Sequence, residues 1–339
     1  MEKMAKKKIE IAREYIDKFP DFPSKSIARA MVKDYPVRFT LDQARQSVRY
    51  VRGAHGVRHR NAVSSERDMS YLREPQESGD PFGKIPEPLS EYSEEWGAVD
   101  IKVKKSLVLS DVHVPFHDKE ALTLTLKHGL DVGCDSIILN GDFCDFFRLS
   151  YFRKDVTVVQ FKEEIDIVIQ TLKAIRDIFG PDVIIYYKEG NHEERLESYL
   201  QVRAPDLLGV ADFTIDKILH LDDLGIQYIG EKRPIRIDHL YIIHGHEFVY
   251  SSYNPVNPAR GYFLKARTIC LGAHYHQTSE HTETSLDGNV TSVWSTGCLC
   301  GLHPKYMPIN KWNHGFAVVD MSNDRFCVDN LKIIKGRVF

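Results

Sequence analysis

Five times between residues 105 and 280, a short apolar run gives way to a knot of Asp, His or Asn, and few folds accommodate that arrangement. SLVLS (106–110) leads into Asp111-Val112-His113, SIILN (136–140) into Gly141-Asp142-Phe143-Cys144-Asp145, and VIIYY (183–187) towards Gly190-Asn191-His192-Glu193. LYII (240–243) leads into His244-Gly245-His246, and TICL (268–271) into Gly272-Ala273-His274-Tyr275-His276. Runs rich in Ile, Val and Leu without polar alternation are the pattern of strands buried on both faces. The polar knots then lie just past strand ends, where the sites of α/β folds collect.

Helical spacing connects the runs. It predicts helices over about 118–132 and 158–179, the latter with a buried stripe of Val159, Ile165, Val168, Ile169, Leu172 and Ile175. After about residue 225 strands take over, with TSVWSTG (291–297), GFAVVD (315–320) and FCVDNLKII (326–334), so a second sheet is expected to follow the first. At the other end, Ile9, Ile11, Ala12, Tyr15 and Ile16 predict a helix stopped by Pro20 and Pro23. A second helix begins at Ser24 and ends before Pro36. A third begins at Thr40, whose spacing to Gln43 is that of a capping box, and Gly53 supplies its stop. Residues 1–60 thus read as a helical, helix-turn-helix-like module, 61–104 as a linker or wrapping arm rich in Pro, Ser and acidic residues, and 105–339 as the main domain.

The five knots offer carboxylate, imidazole and amide donors. That mixture suits manganese, iron, zinc or nickel better than calcium, which takes all-oxygen shells. Gathered at neighbouring strand ends, the donors suit two cations about 3.5 to 4 Å apart, the separation used for in-line displacement at phosphorus.

The ordered set, DxH, GDxxD, GNH followed by an acid, a lone His and a final HxH, resembles the calcineurin-like metallophosphoesterase superfamily over residues of about 105 to 335. The resemblance implies an α/β fold, a four-layer αββα sandwich of two mixed sheets flanked by helices. It implies that Asp111, His113 and His276 hold one metal ion, that Asn191, His244 and His274 hold the other, and that Asp142 bridges both. Manganese is the first expectation for the two divalent ions. The nucleophile would be a metal-bridging water or hydroxide. His192 would stay unliganded beside the leaving-group oxygen, oriented by Asp145. Two departures stand out: GAHYH replaces GHxH with the HxH spacing intact, and Phe146-Phe147 follows GDxxD where the Ser/Thr protein phosphatases and diadenosine tetraphosphatases have Arg-Gly.

Other residues have weaker claims. His246 is expected to support a ligand, with an extra ligand or a substrate contact as the other readings; Arg195 is a candidate phosphate contact for which a solvated helix residue is the favoured reading, and Arg260 one that reads equally as a surface arginine. His117 could also face a phosphate, with a polar loop residue the favoured reading. Cys298 and Cys300 would share one side of a strand and pack in the core, and Cys144 carries no ligand role.

Charge gives a regional signal only. The formal net charge is -3, but residues 1–60 hold 15 Lys and Arg against 7 Asp and Glu, and residues 61–100 hold 3 against 10. Arg45, Arg49 and Arg52 recur along the third helix and are candidates for contact with a nucleic-acid backbone. Six scattered cysteines without a short-spaced framework predict reduced thiols, and no run reaches bilayer length, so a cytoplasmic protein without membrane attachment is expected. Three functions are compatible with these features. The first is a phosphodiesterase or nuclease acting on DNA, RNA or nucleotides. The others are a phosphomonoesterase of a small metabolite or phosphoprotein, and a nucleic-acid-binding regulator with a structural metal centre.

Overall fold

The computed structural model describes residues 7–20, 22–52, 97–151, 159–248, 256–322 and 326–339. The chain divides into two compact units, Met1–Glu91 and Tyr92–Phe339. Most of the expected linker, Gly53 and residues 152–158 fall outside the described residues.

In the first unit α1 (Lys8–Lys18), α2 (Ser24–Asp34) and α3 (Leu41–Arg52) enclose a small core of Ile11, Ala12, Ile16, Ile27, Ala28, Met31, Phe39, Ala44, Val48 and Val51. Each helix contributes residues three and four apart, so one stripe per helix is removed from water. The start of α3 follows the capping signal: the amide of Gln43 donates to Thr40 Oγ1 at 3.3 Å. At its other end the Arg52 guanidinium donates to the carbonyls of Phe19, Pro20 and Phe22, tying α3 to the turn after α1.

The second unit is α/β and contains two mixed sheets. Its first sheet centres on β2 (Lys105–Leu109), β3 (Ser136–Asn140), β4 (Ile184–Lys188) and β5 (Ile226–Ile229), which run parallel. These are the apolar runs of the sequence, and β3 is buried at every position. Helices α4 (Lys119–Asp131), α5 (Phe161–Phe179) and α6 (Glu194–Arg203) cover one face through Leu122, Leu126, Val168, Leu172, Ile175, Leu196 and Leu200. Asp118 caps α4 by accepting the Ala121 amide at 2.9 Å.

The second sheet contains β1 (Val99–Asp100), β6 (Ile235–Ile237), β7 (Leu240–Ile242), β8 (Cys270–Gly272), β9 (Ser279–Thr284) and β10 (Val290–Ser295). Val108, Ile138, Tyr186 and Ile229 of the first sheet meet Ile235, Ile237, Leu240, Ile242, Leu271 and Trp294 of the second, forming the core between them. The short helix α7 (Ile215–Ile218) precedes β5, and α8 (Pro258–Ala266) packs on the outer face of the second sheet through Ala259 and Tyr262. The layer order is helix, sheet, sheet, helix, as the resemblance implies.

One expectation changes. The late strands β11 (His314–Asp320), β12 (Cys327–Ile334) and β13 (Arg337–Val338) do not extend the second sheet. They return to the first, where β11 pairs antiparallel with β2. There Ala317 and Val319 face the inter-sheet core while Phe316 and Val318 face the helices, so the strand is buried on both sides.

Candidate metal centre

Every knot lies on a turn that leaves a strand, and the backbone there is unusual. Asp111, His113, Asp142, His274 and His276 all have positive φ, between 49° and 69°. Non-glycine residues in that region cost free energy, and they persist where surrounding structure over-determines them, as at functional sites. Gly190 lets two turns touch: a Cβ built there would lie 2.3 Å from both the amide nitrogen and Oδ1 of Asp142.

The turns bring the seven expected ligands into one cluster, in which Asp111, His113, Asp142, His244 and His276 are buried and Asn191 and His274 half-buried. Asp142 Oδ2 lies 3.3 Å from His244 Nε2 and 3.9 Å from His113 Nε2, placing this carboxylate between two sets of donors. On one side are His113 and His276, whose Nε2 atoms are 3.2 Å apart, with Asp111 Oδ1 at 3.1 Å from His276 Nε2. On the other are His244, Asn191, whose Oδ1 is 3.2 Å from His244 Nε2, and His274. Within each of three groups, His113/His276/Cys300, His113/Asp142/His192 and Asp142/His244/His274, the ligand-type atoms lie within 4.8 Å of one another.

Hydrogen bonds around the cluster decide which ring nitrogens face inward. His244 Nδ1 is 2.9 Å from the Asn140 carbonyl, which can only accept, so Nδ1 carries a proton and Nε2 points its remaining site at Asp142 and Asn191. His113 Nδ1 is likewise 3.1 Å from Asp145 Oδ1, leaving Nε2 for the cluster. Acceptors therefore face acceptors, an arrangement that is repulsive without a cation or extra protons between them. His274 Nδ1 is buried without a hydrogen-bond partner, and Asp111 Oδ1 accepts no hydrogen bond although His276 stands beside it. These orphaned atoms fit divalent ions held by this donor set.

The charges reinforce one another. Burial works against ionisation of Asp142, yet His192, His244 and His113 hold its carboxyl well below the usual range. Burial also disfavours a charged His244, but Asp142 raises it to about 10, whereas burial and the neighbouring His244 push His274 down to about 4. The ionised Asp111 and Asp142 are thus offset by protons on His276 and His244, whose place a bound cation would take.

His192 and Asp145 sit beside this cluster. His192 Nε2 is 3.7 Å from Asp142 Oδ2, and its Nδ1 is 2.8 Å from the backbone oxygen of Asp145 and 3.3 Å from Oδ1. The Asp145 carboxylate is thus shared between His113 and His192 rather than devoted to one of them. Arg195 reaches the same place, with Nη2 at 2.8 Å from His192 Nε2 and Nη1 at 2.7 Å from the Asp145 carbonyl. His246 pairs with Glu194 at 2.7 Å, and its buried Nδ1 makes no hydrogen bond but lies 3.7 Å from Glu247 Oε2. Arg260 is exposed at the start of α8, and no contact among the described residues joins it to the cluster. On α3, Arg45 and Arg49 are exposed while Arg52 is engaged within its own unit.

Four contributors escaped the sequence. Buried Glu193 accepts from the amides of Asp142, Cys144 and Gly190 at 3.0, 2.9 and 2.9 Å and from the Tyr187 hydroxyl at 2.8 Å, so it fixes two of the turns. The acid after GNH was the available signal. Glu247 accepts from the amides of His244 and Gly245 and pairs with buried Lys188 at 2.8 Å. Cys300, expected in the core, is buried but has its sulfur 3.8 Å from His276 Nδ1. Trp312 stands against His276 with ring centroids 4.1 Å apart, and nothing in its local sequence marks it.

No family model matches the chain. The "Gene 54 protein" of Mycobacterium phage L5 is 25% identical over 247 residues, covering 69% of this chain and 95% of the relative. Its namesake in Mycobacterium phage D29 is 24% identical over 247 residues with the same coverage. Among solved structures, Vps29 from Cryptosporidium parvum is 10% identical with a TM-score of 0.40, covering 70% of this chain and 95% of its own. The phosphoesterase YfcE from E. coli is 13% identical with a TM-score of 0.33, covering 66% and 98%. A dimetal phosphatase from Danio rerio is 12% identical with a TM-score of 0.34, covering 67% and 96%.

Proposed function

We propose that this chain is a metal-dependent phosphoesterase, a hydrolase in which Asp111, His113 and His276 hold one divalent ion, Asn191, His244 and His274 a second, and Asp142 bridges them. The observation that carries this reading is the Asp142 carboxylate set between two groups of donor atoms, with His113 and His244 turned inward by Nδ1 bonds already committed elsewhere. Bound ions would lower the pKa of water towards neutrality and offset the charge of a phosphate. Manganese fits the mixture of oxygen and imidazole donors, and iron, zinc and nickel remain compatible with it.

The protein's own groups divide the remaining work. His192, outside both donor sets but 3.7 Å from Asp142, is placed to serve the leaving oxygen once substrate takes the place of the Arg195 contact and Nε2 gains a proton. Asp145 and Arg195 fix its ring from opposite sides. His246 is placed by its pairing with Glu194 to steady the turn that carries His244.

The substrate proposed is a nucleic-acid or nucleotide phosphodiester. Support comes from the exposed Arg45 and Arg49, one turn apart on α3, with exposed Tyr50 beside them. None of the six cysteines is in a disulfide among the described residues, and among those residues no helix is long and apolar enough to cross a membrane. Incubation with manganese and labelled DNA, RNA or an aryl phosphate monoester tests the reading. Cleavage of a phosphodiester is expected, turnover of the monoester alone would leave a phosphomonoesterase, and no turnover of any would leave a binding protein with a structural metal centre.

A further inference from the structure

The loop between Cys300 and β11 lies against the candidate centre and presents aromatic surface that the fold does not use. It is braced from within: Asn310 Nδ2 donates to the carbonyls of Leu302 and Met307 at 2.7 and 2.9 Å, and Asn310 Oδ1 accepts the Trp312 amide at 2.9 Å. The brace fixes a row of rings leading outward from the centre. His276, a proposed ligand, is followed by Trp312 at 4.1 Å between centroids and then by Tyr306 at 6.4 Å. Tyr306 is 75% exposed, and Lys305 and Lys311 beside the two rings are exposed as well.

An exposed tyrosine contributes little to a core, and a tryptophan half-open at the mouth of a polar site gives up apolar burial. Together with two amines they form the combination that binds unpaired nucleic acid: flat faces for bases and cations for the intervening phosphates. Paired bases keep their faces stacked inside a duplex, so such a surface selects strands whose bases are free.

Resting on the phosphodiesterase reading above, we infer that Tyr306 and Trp312 form a stacking platform for a base next to the cleaved phosphate. Lys305 and Lys311 flank its backbone, and the preferred substrate is an unpaired strand or nucleotide end. The test uses the full chain with manganese and two single-stranded oligonucleotides of equal length, one carrying all its bases and one with abasic positions around the cleavage point. The base-bearing strand is expected to have a KM lower by about 5- to 150-fold, the range that one stacked base supplies. Tyr306→Ala and Trp312→Ala each shrink that ratio several-fold, and Tyr306→Phe restores it. Equal KM values for the two strands in the unaltered protein, or a ratio untouched by Tyr306→Ala, would overturn the platform while leaving the phosphodiesterase reading in place. Turnover of monoesters but of neither strand would instead remove the nucleic-acid reading and the platform with it.

Discussion

The Arg195 guanidinium donates from Nη2 to Nε2 of His192 across 2.8 Å, and from Nη1 to the backbone oxygen of Asp145 across 2.7 Å. A guanidinium has no acceptor, so His192 Nε2 must accept and its proton resides on Nδ1, towards Asp145. The arginine therefore selects the tautomer of the ring proposed to serve the leaving group. Arg195→Ala is expected to lower kcat by roughly 10- to 100-fold on a phosphodiester substrate, within the range of a general acid's contribution. Arg195→Lys recovers only part, because an ammonium cannot span both partners as a planar fork does. Steady-state rates of the three proteins measure this, and equal kcat values would show that the arginine is a bystander.

Glu193 gives a stability prediction. Its carboxylate is the shared acceptor for three backbone amides and a hydroxyl in a buried setting. Glu193→Ala strands all four donors and is expected to cost about 3 to 5 kcal/mol, since each unmade buried bond costs about 1 to 3 kcal/mol and the turn relaxes in part. Denaturant unfolding reads the difference. A cost below about 1 kcal/mol would mean that water replaces the carboxylate freely.

Gly190→Ala tests the contact between the turns after β3 and β4. The added methyl would press on the Asp142 amide and carboxylate. The expected result is metal affinity weakened at least 10-fold, the scale seen when a ligand's support is disturbed. The overall fold should survive, so circular dichroism remains near that of the unaltered protein while titration calorimetry shows the loss.

Glu164 predicts a dependence of stability on pH. This buried residue of α5 accepts the Phe146 amide, holding the loop that carries Asp145, and burial together with the Asp145 charge raises its carboxyl to about 7. Below its unfolded value of 4.5 the group is neutral in both states, so its cost is absent there. Between 4.5 and about 7 the unfolded chain releases the proton more readily than the folded one, and stability declines. The total is about 3 kcal/mol. Glu164→Gln should remove that decline, so the gap in unfolding free energy between pH 5 and pH 8 narrows in the variant. Parallel profiles would count against it.

Much of the second unit could be read from the chain because strands buried on both faces leave an unbroken apolar signature. SIILN became β3 without a shift of boundary, and the polar residues behind each run fell where parallel strands place them. The return of β11 to the first sheet could not be read, since Phe316, Ala317, Val318 and Val319 would suit either sheet; only pairing with β2 decides it. At the site, residues that recur as spaced motifs were visible, whereas those acting through folding alone were not. Trp312 and Tyr306 carry no local signal and approach His276 only because Asn310 braces their loop. Cys300 lies in the CxC read as core, and its burial supports that reading until His276 is seen beside it.

The account stands or falls on two ions sharing Asp142. Elemental analysis after reconstitution with manganese and removal of free metal should find two ions per chain, and no more than one in Asp142→Ala with the fold retained. A single ion in the unaltered protein, or an Asp142→Ala protein that keeps two, would contradict it.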